Sequence, residues 1–134
     1  MSDVSFRFLL VAVAAALIGM SGGILMAIAQ DFTLAPAHAH LNLLGWVTMA
    51  LYGLFYRAVP QAAHGILPRV HFWLAACGVI LMVPGIAWVV LGHADGERII
   101  APGALMVVCG MIVFGIVVVR SRAAPRQQRA PLIA

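Results

Sequence analysis

Four long apolar runs alternate with short polar breaks along the chain. Residues 8–29 carry no charge, and after Asp31 and Pro36 a second run covers 37–56. Arg57, Pro60, Gly65 and Pro68 mark a short loop before a third run over 70–92. His93, Ala94, Asp95, Gly96, Glu97 and Arg98 form a polar turn, and a fourth run covers 99–119 ahead of an arginine-rich tail over 121–134. Each run is near the roughly 20 residues that an α-helix needs to cross a bilayer. Each is also far longer than the roughly 10 alternating residues of a barrel strand. The pattern predicts an all-α fold, a four-transmembrane-helix bundle over 1–120, with consecutive helices as antiparallel neighbours. Ala27-Ile28-Ala29 has the small-x-small form of a signal-peptide cleavage site. The apolar run before it exceeds the usual core of about 7–15 residues, so the first run is expected to stay as a helix.

Composition sharpens this. Of the 134 residues, 64% are hydrophobic and 9% charged, against about half and a quarter in a soluble domain. A water-soluble globule, a disordered chain and a nucleic-acid-binding domain are excluded, despite a pI near 10.1. The basic excess has a topological reading instead. Arg7, Arg57, Arg69, Arg120, Arg122, Arg126 and Arg129 fall on one side of the predicted bundle; Arg98 falls on the other, with Asp31, Asp95 and Glu97. By the positive-inside rule both termini are expected in the cytoplasm, as in a multi-pass protein of a bacterial-type inner membrane, with membrane lipid as its surroundings.

The candidate chemistry lies in histidine. An ionisable residue within a membrane span is expensive and marks a functional site by default. His38 and His40 open the second run, and His93 follows the third on the same side. His64 and His71 fall at the opposite end. A helix from His71 to His93 rises about 33 Å, so those two cannot share a ligand, and a site must be built around His38 and His40. Two residues apart on a regular helix point about 200° from each other. One ion cannot take both imidazoles easily, whereas two sites on opposite flanks can take one each. Desolvation keeps the rings neutral, as iron, copper or zinc ligation requires. The structural alternative is that one histidine caps the helix and the other hydrogen-bonds across the bundle. Asn42, one turn after His38, is placed to support it as a hydrogen-bond partner. Cys77 and Cys109 lie inside predicted spans without metal-type spacing, which excludes iron–sulfur clusters, and the absence of CxxCH excludes covalent haem.

The run His38-Ala39-His40-Leu41-Asn42-Leu43-Leu44-Gly45-Trp46, continuing through Tyr52-Gly53-Leu54-Phe55-Tyr56 and Arg57 to Pro60, resembles subunit I of the haem–copper oxidase superfamily. The likeness is greatest to the cbb-type oxidases and nitric oxide reductases. In that family a membrane helix carries HxH, and the next often opens with His-Phe-Trp, here His71-Phe72-Trp73-Leu74. The resemblance covers about residues 36–92. It implies that His38 and His40 ligate haem b iron on opposite flanks of one helix, with His93 as a further candidate ligand or propionate partner. Nothing matches the family's copper-ligating histidines or its cross-linked tyrosine, so reduction of oxygen or nitric oxide by one copy is not expected. His71 matches a family position without iron and is expected near the interface at its helix start; His64 is expected in a solvated loop.

The function expected is therefore a haem b-binding membrane protein for electron transfer or gas binding, working with a redox partner. The alternative is a protein that handles copper or zinc through His38, His40 and His93, or an assembly factor without cofactor. The seven methionines form no MxxM or MxM array, which counts against copper. His71, Gly78, Gly85 and Gly92 recur every seven residues, as do Gly103 and Gly110. Such stripes let membrane helices approach closely, and they would also leave room for a flat macrocycle. Pro84-Gly85 is expected to bend the third helix. Subunit I resembles three four-helix units around a pseudo-threefold axis. One such unit implies a homotrimer, with His38 of one copy facing His40 of its neighbour across a haem.

Overall fold

In the computed structural model, which describes residues 2–123, the chain folds into four helices and, among the described residues, no strand. Helix α1 is Asp3–Ala29. Helix α2 covers 35–58 in three consecutive segments: α-helical Ala35–His40, π-helical Leu41–Thr48 and α-helical Met49–Ala58. Backbone angles at His40, Leu41, Thr48 and Met49 are all right-handed helical, so α2 has no break at these junctions. Helix α3 is Leu67–Val90 and α4 is Glu97–Ala123, preceded by 3₁₀ turns at Pro60–Ala63 and Ala94–Gly96. Helices α1, α3 and α4 are long and apolar enough to cross a membrane. Within the most apolar window of each, only 28%, 33% and 17% of residues are buried, so wide apolar faces point outward, as lipid contact requires. Most of the tail predicted over 121–134, including Arg126 and Arg129, lies outside the described residues.

Local chemistry sets the helix ends. The Ser2 hydroxyl accepts the Ser5 amide at 3.3 Å, as an N-cap does. Gln30 turns the chain left-handed at φ 52° after α1. Asp31 then accepts the Thr33 hydroxyl at 2.6 Å and its amide at 2.9 Å, which holds the carboxyl below its ordinary value. After α3, Gly92 takes a φ of 97° that a residue with a Cβ rarely adopts. The α3 helix continues through Pro84.

Small residues bring the helices together in two pairs. Between α1 and α2, the buried Ser5 hydroxyl donates to the Gly53 carbonyl at 2.9 Å, and a Cβ at Gly53 would lie 2.8 Å from Leu9. The α3–α4 pair is the more extensive. A Cβ on Gly78 would lie 2.9 Å from the Gly103 carbonyl, and one on Gly103 would lie 2.8 Å from the Met82 amide. Gly85, Gly96 and Gly110 continue the same seam. The heptad stripe is thus occupied by the partner helix, which corrects the expectation that it leaves room for a macrocycle. Gly92 does not join it: open space surrounds its Cβ position.

A cluster of rings closes the end of the bundle that holds both described chain ends. Phe8, Tyr52, Tyr56, His71 and Phe72 are buried there, with Phe114 packed against them.

Candidate functional site

The start of α2 presents two histidines in different settings. The His40 ring is exposed, and its Nδ1 lies 2.8 Å from the Pro36 carbonyl one turn back. A carbonyl only accepts, so Nδ1 donates and carries the ring proton. This leaves Nε2 as the nitrogen placed to ligate a metal.

His38 is half-buried on the other flank, against the glycines of α1. A Cβ on Gly23 would lie 3.2 Å from its Cε1, and one on Gly22 would lie 4.0 Å from its Nδ1. Beside it, a cleft of about 150 Å³ opens between α1 and α3, floored by Ala37 and Leu41 of α2. Asn42 donates from Nδ2 to the His38 carbonyl at 2.8 Å and sits 3.2 and 3.4 Å from the two ring nitrogens. Near-equal distances place the amide over the ring rather than in line with either lone pair. Asn42 is confined in turn by Gly19, where a Cβ would lie 2.6 Å from its Oδ1.

Directly after His40 comes the π-helical segment. A π-turn leaves backbone groups out of α-helical register, and such segments are frequent at functional sites. Here the Thr48 hydroxyl donates to the Leu43 carbonyl, five residues back, at 2.7 Å. Gly45 is buried against Ala15 of α1 and Val79 of α3, which fixes this stretch in the bundle.

His93 stands apart. Its ring stacks on Trp88 at 4.0 Å and 18°, and the Trp88 indole donates to Asp95 at 3.1 Å. Among the described residues no three His, Cys, Asp or Glu side chains come together as a metal site. The set His38, His40 and His93 is therefore not assembled, which corrects the three-histidine copper or zinc alternative.

At the opposite end, His64 is exposed beside the loop, while His71 is fully buried. His71 lies four residues past the start of α3, and its ring is enclosed by the bundle rather than turned to solvent. Its Nδ1 lies 3.0 Å from the Tyr56 hydroxyl, and its Nε2 is buried with no hydrogen-bond partner. Tyr52 meets the ring edge-on at 4.3 Å and Phe114 stacks on it at 5.2 Å. The signal for this pair was present in the aromatic spacing of α2, where Tyr52 and Tyr56 lie one turn apart and face the same neighbours. The signal for Gly22-Gly23 was their position near the end of α1, at the depth an antiparallel α2 assigns to His38.

A haem iron can be tested against this geometry. The donors fit: two imidazoles on opposite flanks, one with its Nδ1 turned to a carbonyl and its Nε2 outward. The space inside one chain does not enclose a macrocycle, since the cleft beside His38 is about 150 Å³ and enclosed ligand sites run to about 300–1,000 Å³. A haem on these residues would lie against the outer surface of the bundle. Comparison of the chain with family models, curated proteins and solved structures finds no match.

Proposed function

We propose that the chain is a haem b-binding, four-span protein of a bacterial-type inner membrane, related to subunit I of the haem–copper oxidases. Residues 35–58 rise about 36 Å at 1.5 Å per residue, enough to cross a core of about 30 Å, which supports α2 as the fourth span. Arg7, Arg57, Arg69, Arg120 and Arg122 at one end, against Arg98 with Asp31, Asp95 and Glu97 at the other, support cytoplasmic termini.

The observation that carries the haem reading is the 2.8 Å contact of the exposed His40 Nδ1 with the Pro36 carbonyl, which leaves Nε2 as the ligating nitrogen on the flank opposite His38. His40 is exposed and His38 borders a cleft too small for a macrocycle, so a haem taken by both would lie between copies. A closed ring of three copies sets His38 of one against His40 of the next. Haem held there supplies reversible one-electron exchange. Ligation by two histidines leaves no open iron position, which favours electron transfer with a redox partner over gas binding.

Purified protein is expected to show a Soret band and reduced b-type bands, with haem occupancy falling in both His38→Ala and His40→Ala. Native mass spectrometry is expected to give a haem-loaded trimer. Absence of the bands, or full occupancy in both variants, overturns the reading and leaves the assembly-factor alternative. A carbon monoxide difference spectrum from the reduced protein would move the assignment from electron transfer to gas binding.

A further inference from the structure

We propose that the cytoplasmic end of the protein carries a binding site for one anionic phospholipid, between the starts of α1 and α3. The site has two adjoining parts. A polar cavity of about 590 Å³ is lined by Ser2, Asp3, Arg7, His64, Arg69 and Trp73. Beside it an apolar groove of about 420 Å³ lies along α3, lined by Leu74 and Cys77 and by Met106 of α4. Arg69 and Trp73 line both parts.

The chemistry of each part selects a different portion of one ligand. Two arginines and one carboxylate, Asp3, line the cavity, so its described lining carries excess positive charge and suits a phosphodiester. Arg7 approaches from α1 and Arg69 from α3, and guanidiniums bind phosphate oxygens in a fixed fork geometry. Trp73, exposed at 57% and near a helix end, is the amphipathic ring expected at headgroup level. The groove below offers only apolar and thiol surface, which serves an acyl chain and gives a soluble anion nothing. Because Arg69 and Trp73 border both parts, one lipid lying across them can place its headgroup in the cavity and a chain in the groove. This inference is independent of haem and rests on the proposed membrane orientation, which puts this end at the cytoplasmic leaflet.

Delipidated protein in neutral detergent tests it, with three probes added separately: phosphatidylglycerol, phosphatidylcholine and inorganic phosphate. Phosphatidylglycerol is expected to raise the melting temperature and to remain bound in native mass spectra, while the other two leave both unchanged. Arg7→Gln/Arg69→Gln is expected to weaken phosphatidylglycerol binding by about tenfold or more, given the attraction of each surface arginine to anionic lipid, with helicity unchanged by circular dichroism. Arg57→Gln/Arg122→Gln removes the same charge from the same end outside the cavity and is expected to bind as the parent does. An equal loss in this control would reduce the effect to diffuse surface charge and overturn the site. Equal stabilisation by phosphatidylcholine would overturn headgroup selection, and equal stabilisation by phosphate would overturn the lipid as ligand.

Discussion

Gly78→Ala tests whether the glycine stripe is a helix–helix seam or a space for a cofactor. A methyl at Gly78 would lie 2.8 Å from Val107 Cγ2, 2.9 Å from the Gly103 carbonyl oxygen and 2.9 Å from the Val107 amide nitrogen. Carbon contacts are most favourable at about 3.5–4.0 Å, so the methyl is too close by most of an ångström. Two of the three atoms are backbone and cannot rotate away. Relief requires α3 and α4 to separate, which also loosens the contacts of Gly85 and Gly103 along the seam. Overpacking of this kind costs about 1–3 kcal/mol. Gly115→Ala is the control: nothing lies within 4 Å of its Cβ position, and alanine in a helix interior is favoured over glycine by about 1 kcal/mol. Titration of detergent-solubilised protein with sodium dodecyl sulfate, followed by circular dichroism, is expected to place Gly78→Ala below the parent and Gly115→Ala at or above it. Equal stability of the two variants would refute the seam. Loss of haem with apoprotein stability unchanged would show that the stripe serves a macrocycle after all.

Tyr56→Phe removes the partner of His71 Nδ1 in a ring whose Nε2 is already unpartnered. A buried unsatisfied group costs about 1–3 kcal/mol, so destabilisation of that size is expected in the same titration, with part of it recovered in Tyr56→Phe/His71→Phe. Gly23→Ala places a methyl 3.2 Å from His38 Cε1; it is expected to lower haem occupancy and shift the b-type bands while leaving helicity intact, and an unchanged spectrum would separate His38 from the haem.

The four helices were legible because each apolar run is long and its limits coincide with charges, prolines or glycines. The structure extends the second run from 37–56 to 35–58, since Pro36 fits the first helical turn, where its missing N–H costs nothing. The π-helical segment over Leu41–Thr48 was not legible. Leu, Asn, Gly, Trp, Val and Thr there suit a regular membrane helix equally well, and the close approach of Gly45 to α1 and α3 within this segment is a tertiary fact.

Five histidines look alike in sequence, and only their neighbours distinguish them. His38 and His40 were separable by the 200° rule, which depends on a regular helix, and both fall in the α-helical segment that ends at His40. The place of His71 near the start of α3 was legible, and its enclosure was not. The residue lies four residues past the start of α3, but Phe8, Tyr56 and Phe114 from three other helices converge over it. Convergence of that kind is a tertiary fact and has no period in the sequence. The glycine stripe was correctly read as close packing, but spacing alone could not say whether a helix or a ligand fills it.

The proposed trimer makes one prediction that no single-chain site shares. If each haem takes His38 from one copy and His40 from the next, His38→Ala and His40→Ala chains are each defective alone but complement each other in a mixed ring. At a given junction His38 must come from a His40→Ala chain and His40 from a His38→Ala chain. With equal amounts and random assembly into closed rings, one half times one half of the junctions are intact, about a quarter. Coexpression with two different affinity tags, purified in tandem to select mixed rings, raises the expected occupancy to one junction in three, because a two-to-one ring has a single intact junction. Haem per chain, measured by pyridine haemochrome against amino-acid analysis, reads this directly. A site with both ligands in one copy gives no recovery at any mixing ratio. Ligation by His40 alone gives no defect in His38→Ala to complement. Recovery near one third in tandem-purified rings, with none in either variant alone, is the result that only shared ligation between neighbours produces.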